Sequence, residues 1–366
     1  LYLKGLIVDN YNEDLGLWRY SSATNKNNVA NAAIYTGNTA ALKIVVEADS
    51  SLQSYDGLHY QKDLAIESVG NAKLTIWTSR TGVLPSNVSS GYANANTHLS
   101  GSDLTLNVNL SVSLGKYEND ANAGYLIRAI GGDIIVNGGN IVTEFRQNAN
   151  KGVSGVGITE GNLYVNGGYV YVDANGDGLD SNGVLKINGG TILVNGPSND
   201  GNGALDSGSS CEVSGGTIIA IGSSGMAESL TANGQCSIMT DIDSQAANTT
   251  VALTDSEGNV LASINSTKQF NNVVVSTPSI KKGESYKLVC GGTVDGADSY
   301  GFADSGKVSG GTTAAEMTMD SESYSNGGSR MGGGMGGMRG NMQPPDGDNG
   351  NGMQPPDGNM QNKPQF

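Results

Sequence analysis

The strongest chemical signal in this 366-residue chain is Asp173 to Gly183, DANGDGLDSNG. Asp173, Asn175, Asp177 and Asp180 bring side-chain oxygens at steps of two, two and three residues, and Gly176 and Gly178 free the backbone to fold round a hard cation. The spacing resembles part of an EF-hand loop, but no flanking helix is expected and the bidentate Glu is missing. Further on, PSNDGNGALDS supplies Asn199, Asp200, Asn202 and Asp206. Matching Gly178, Leu179 and Asp180 to Ala204, Leu205 and Asp206 sets Asp180 beside Asp206 on neighbouring turns of chain. Two carboxylates about 5 Å apart repel unless a cation sits between them, which makes calcium the expected ion. The competing reading is an Asx-rich turn that only closes the chain. Asp56, Gly57, Leu58 and His59 repeat the pattern of Asp177 to Asp180 with His in the last place, so Asp56 joins the ladder or marks a separate site along it.

Catalytic groups are few. With two His in total, the chain offers neither a Ser-His-Asp arrangement nor a Cys/His metal cluster. Chemistry open to calcium-bearing carboxylates is β-elimination of a uronate, in which the ion acidifies the C5 proton and a Lys or Arg removes it. Lys151 and Lys186 are the candidate bases, neither distinguished from an ordinary surface lysine. Carbohydrate binding calls instead for outward aromatic rings and planar polar groups. Tyr164, Tyr169 and Tyr171 alternate with Leu163, Val165, Val170 and Val172, which turns all three rings outward as candidate sugar contacts. In one outward column stand Val142, Tyr171, Leu193 and Ile219, which form either a glycan or partner platform or a surface covered by another part of the chain.

A repeat must position these residues. From Gly161 to Gly222 one pattern recurs three times: an alternating apolar run, a Gly pair, a second alternating run. The pairs at Gly167, Gly189 and Gly215 lie 189 − 167 = 22 and 215 − 189 = 26 residues apart, a solenoid period. A period of two places Leu163, Val165, Val170 and Val172 on one face, and a single turn of chain has nothing to bury that face against. Stacking turns about 4.8 Å apart supplies the wall and pairs the backbone of each turn with the next. Glycine makes the corner, since positive φ is free only for Gly. Asn137, Asn166, Asn188 and Ser214 precede successive corners, where short polar side chains can satisfy turn backbone groups. The expected fold is all-β, a parallel β-helix (solenoid).

Composition agrees: 55 Gly against 4 Phe, 2 Trp and 8 Pro suits many short strands with tight turns. A net charge of −15 argues against nucleic acid or an anionic membrane surface as partner, and makes divalent cations the natural counter-ions. No apolar run approaches the roughly 20 residues of a membrane span, and the opening LYLKGLIVDN does not form a signal peptide. Cys211 and Cys236 lie 236 − 211 = 25 residues apart, which reads as two buried thiols in one column. The alternation predicts a parallel β-helix over residues 1–245, with a long loop from Thr78 to Ser100. It then predicts a small antiparallel β domain or cap over 246–320, and a flexible Gly/Met/Pro-rich tail over 321–366.

The run GDGLDSNG at 176–183, the following NGGTILVNGPSNDGNGALDSG and SGGTIIAIGSSGMAES, and later TTVALTDSEGNVLASI, STPSIKKGESYKLVCGGTV, SGGTTAAEMTM and GGGMGGM, resemble one family: the clostridial carbohydrate-binding domain family with a polysaccharide-lyase-like right-handed parallel β-helix. The likeness covers roughly Gly131 to Gly337, and Ala41 to Trp77 more loosely. It implies a right-handed coil in an extracellular or cell-surface protein that binds calcium and plant cell-wall polysaccharide, acidic galacturonan or cellulose-like chains, without cutting them. Asp177, Asp180 and Asp206 stand at its motif acids, and Asp56 at a further one where His59 replaces the second acid. The expected function is calcium-dependent polysaccharide binding. The alternatives are a pectate-lyase-like enzyme and a structural surface or filament protein that self-associates through coil ends or tail.

Overall fold

The computed structural model describes residues 1–9, 11–12, 17–18, 32–35, 41–60, 63–85, 104–114, 125–128, 133–145, 156–159 and 161–327. Lys151, the 86–100 stretch and the tail from 328 onward lie outside these residues. Every regular element among the described residues is a strand, and none of them forms a helix long and apolar enough to cross a membrane.

Two long sheets carry the repeat. Nine strands form the first, in chain order from Tyr2–Lys4 through Leu42–Ala48, Leu64–Ser68, Leu104–Asn107, Ile134–Gly138, Leu163–Val165, Val184–Ile187 and Ser210–Val213 to Thr231–Ala232, each parallel to the one before. After each of these strands from Leu64–Ser68 to Ser210–Val213 the chain crosses to a second sheet of sixteen strands, where Lys73–Pro85, Asn109–Leu114, Asn140–Phe145, Tyr169–Asp173, Thr191–Asn195 and Thr217–Gly222 stack in parallel. A further parallel row, Tyr125–Arg128, Val156–Thr159, Leu179–Ser181 and Leu205–Ser207, joins that sheet through Lys73–Pro85. Residues 78–85 therefore continue a strand where the sequence pattern predicts a loop, because this longer strand serves both rows.

Register turns the alternation into columns. Leu64, Leu104, Ile134, Leu163, Leu185 and Cys211 lie in line, each at most 2% exposed. Full burial of such a side chain contributes about 1.5–3 kcal/mol, and repeated rung after rung this term stabilises the stack. Gly190 stands at a corner with φ +88°, and a Cβ there would lie 2.7 Å from the Gly168 carbonyl oxygen of the rung below. Beside these corners the side-chain amide of Asn166 donates to Asn137 Oδ1 (2.9 Å), that of Asn188 donates to Asn166 Oδ1 (2.8 Å), and the Ser214 hydroxyl donates to Asn188 Oδ1 (2.9 Å).

Beyond Ala232 the rule changes. The strand Phe270–Ser276 lies antiparallel between Thr217–Gly222 and Ser237–Gln245, and Ser323–Asn326 adds outside the latter in parallel. A four-stranded antiparallel sheet of Val260–Asn265, Thr250–Thr254, Ser285–Cys290 and Thr312–Thr318 follows. One outward column of the sixteen-stranded sheet runs Ile7, Ser51, Thr75, Ser111, Val142, Tyr171, Leu193, Ile219. From Val142 onward it is buried in a second core with Leu253, Leu288 and Met317, so the carboxyl-terminal segment covers the apolar part of the column. Cys236 packs against that second core while Cys211 lies in the first, so the two thiols do not share a column: the strand after Cys236 pairs with Phe270–Ser276.

Candidate functional site: an acidic row

Leu179–Ser181 and Leu205–Ser207 pair in parallel with Asp180 opposite Asp206. Leu179 and Leu205 are buried, so period-two alternation turns the two carboxylates outward. Asp177 sits half-buried just before, accepting the Gly203 amide N–H at 2.7 Å. Burial pushes its carboxyl up to about 6, with repulsion from Asp206 and Asp180 adding to the rise. Gly178 makes the tight approach: a Cβ would meet Val194 Cγ1 at 2.4 Å and the Ala204 carbonyl oxygen at 2.5 Å. One rung further, half-buried Glu228 accepts the Ser207 hydroxyl at 2.5 Å, and burial, with a further push from Asp206, lifts its carboxyl as well. The sequence reading missed Glu228, although its signal was present: Ala227-Glu228-Ser229 echoes Leu179-Asp180-Ser181 and Leu205-Asp206-Ser207.

Asp56 falls further along the same row. Leu58, Val83, Ile127, Ile158 and Leu179 form one column, so the Asp56–His59 run lies four strand spacings from its counterpart, about 19 Å at ~4.8 Å per step. Thr159, not an acid, is the neighbour of Asp180 on that side.

Of the remaining oxygen ligands proposed from sequence, Asp173, Asn199 and Asp200 have side-chain oxygens engaged elsewhere. Asp173 Oδ1 accepts from Lys268 Nζ, which also donates to the Asn195 carbonyl (3.2 Å) and Thr267 Oγ1 (3.3 Å). Asn199 Oδ1 accepts from the Gly201 amide (3.1 Å) and Asn202 Nδ2 (2.9 Å), while Asn199 Nδ2 donates to the Asn175 carbonyl (3.3 Å). Asp200 accepts from the Ser223 hydroxyl. Asn199 and Asp200 thus spend side-chain oxygens on local contacts, Asn175 enters through its backbone carbonyl and Asn202 through its amide N–H, and Asp173 anchors the carboxyl-terminal segment. Among the described residues no three acid, His or Cys side chains converge closely enough to enclose a metal ion.

Two of the three tyrosines are covered. Tyr171 is 4% exposed, its ring stacked on Tyr300 with centroids 4.0 Å apart, and Tyr169 donates its hydroxyl to Asp298 at 2.6 Å while Phe302 meets its ring edge-on. Tyr164 alone of the three belongs to neither buried core; it is half-buried on the nine-stranded sheet, in register with Ile135 and Lys186. Lys186 Nζ lies 3.5 Å from Glu212 on the nine-stranded sheet, whereas the acidic row belongs to the sixteen-stranded one. Glu212 also accepts from Ser210 (2.9 Å) and Asn233 (3.1 Å), bonds that hold its carboxyl below the ordinary range.

Comparison with protein-family models, with curated proteins and with solved structures finds no match to this chain.

Proposed function

We propose that the parallel sheets are the walls of a right-handed β-helix that binds plant cell-wall polysaccharide, acidic galacturonan or cellulose-like chains, at the cell surface or outside the cell, without cutting it. The near-universal right hand of parallel crossovers supports the handedness. The observation that carries the binding reading is the outward stacking of Asp180 on Asp206 beside Asp177, whose carboxyl is raised by burial and, to a lesser degree, by their charge.

Calcium fits this row better than the EF-hand-like loop. Asp180 and Asp206, paired in register, would hold it, with Asp177 beside them and Glu228 next along, and the ion would supply charge neutralisation and a docking point for anionic oxygen. Calcium takes six to eight oxygens, more than this row brings together, so carboxylates of a bound uronate complete the shell. Binding is then calcium-dependent because protein and glycan are both anionic. Lys186 lies on the other sheet from the acids, which favours binding over β-elimination there.

Migration through a native gel with entrapped polygalacturonate tests the reading. Retardation in calcium, abolished by chelator and by Asp206→Asn, is the expected result. Equal migration in calcium and chelator, with and without the glycan, would overturn it, and a cleared track behind the band would establish a lyase instead.

A further inference from the structure

The outward face of the nine-stranded sheet, over which no strand of the described residues packs, is organised differently from the acidic row. Each rung there presents two outward side chains two residues apart: Ile135 and Asn137, Tyr164 and Asn166, Lys186 and Asn188. The asparagines are exposed, and their ladder uses one N–H and one oxygen lone pair of each interior amide. A carboxamide has two N–H groups and two lone pairs, so Asn166 and Asn188 each keep one donor and one acceptor for solvent or a ligand. Those spare groups recur once per rung, about every 4.8 Å, beside the half-buried Tyr164 ring. Lys186 and Glu212 oppose each other's charge, so the strip is locally neutral in a chain of net charge −15.

We propose that this strip, Tyr164 with the Asn137–Asn166–Asn188 ladder, is a second and calcium-independent glycan face, for an uncharged linear polysaccharide lying along the stack of rungs. A flat ring stacks on the apolar face of a sugar, while a donor and acceptor at each step match paired hydroxyls on successive sugars. Local neutrality selects against a polyanion, since nothing here offsets its charge. The proposal rests on the glycan-binding reading above and adds the place where an uncharged chain is held, on a different sheet from the acids.

Affinity electrophoresis through hydroxyethylcellulose, in chelator, tests it against polygalacturonate in calcium. Wild type should be retarded in both gels. Tyr164→Ala should bind hydroxyethylcellulose roughly three- to tenfold more weakly, the size of one lost ring contact, while keeping its calcium-dependent retardation. Tyr164→Phe, which keeps the ring, should behave as wild type. Unchanged retardation of Tyr164→Ala on hydroxyethylcellulose overturns the face but not the function. Loss by Tyr164→Ala in both gels also overturns a separate face, because ring and acids would then serve one site. Wild type retarded by polygalacturonate alone refutes the neutral occupant, and wild type retarded by neither glycan refutes both proposals.

Discussion

Replacing Lys268 by Met removes the cation that holds Asp173, and the consequence can be worked from the contacts. The Lys268 and Asp173 side chains are 20% and 15% exposed, and Glu144 is the register neighbour of Asp173 on the adjacent strand. Breaking a fully buried pair from one side costs about 3–5 kcal/mol, and the residual exposure of both groups trims this to about 2–4 kcal/mol. Lys268→Met also strips donors from the Asn195 carbonyl and Thr267 Oγ1. The double variant Lys268→Met with Asp173→Asn leaves no unpaired charge and should recover at least half of the loss, a coupling of about 1–2 kcal/mol. Urea unfolding of wild type, both single variants and the double variant measures the cycle. A loss below about 1 kcal/mol for Lys268→Met, or singles that simply add, refutes the anchor role. Asp173→Asn should leave calcium-dependent glycan retardation intact, and its loss would return Asp173 to the ligand set.

Asp177 sets a pH dependence in the metal-free protein. Its folded pKa of about 6 lies above the unfolded value near 3.8, so the native state binds the proton more tightly; its contribution favours folding at low pH and is lost as pH rises through about 4 to 6. Asp177→Asn should therefore stabilise the calcium-free protein at pH 7.5 by up to about 3 kcal/mol, less solvent screening, and the gain should vanish at pH 4. Thermal unfolding at both pH values would reveal an equal gain at each if charge were not the cause. At the corners, Gly190→Ala meets backbone 2.7 Å away at φ +88°, whereas Gly234→Ala at φ +95° meets nothing within 4 Å. The second should cost only about 1–2 kcal/mol of conformational energy and the first clearly more, and equal unfolding midpoints would refute close stacking of the rungs.

The columns were legible because parallel stacking aligns like residues: Leu163, Leu185 and Cys211 sit one above another as their spacing from the Gly pairs requires. Asp180 and Asp206 were paired correctly for the same reason. Alternation gives only the side of the strand, not what lies over it, so it could not separate Tyr164, half-buried and in neither core, from Tyr171 beneath Tyr300. Nor could it place Lys268 on Asp173, a partnership between residues 95 apart with no shared motif. The same distance effect hid Phe270–Ser276, whose apolar run reads as one more strand while its direction and neighbours depend on the whole carboxyl-terminal segment.

The antiparallel placement of Phe270–Ser276 fixes an order of events during synthesis. The strand fills a slot between two strands that precede it in the chain, Thr217–Gly222 and Ser237–Gln245. Until it emerges, the edge of Thr217–Gly222 stays open, with Ile219 and Ile221 lacking their cover. Earlier rungs can assemble one on another as the chain appears, since each contacts mainly its predecessor. Pairing Phe270–Ser276 with Thr217–Gly222 is a distant contact whose loop-closure entropy makes it slow relative to neighbour stacking. The carboxyl-terminal segment thus breaks the run of uniform polarity at one strand: Phe270–Ser276 lies reversed in the sheet, while Ser237–Gln245 and Ser323–Asn326 beyond it resume the direction of Thr217–Gly222, so no further rung stacks directly on that edge.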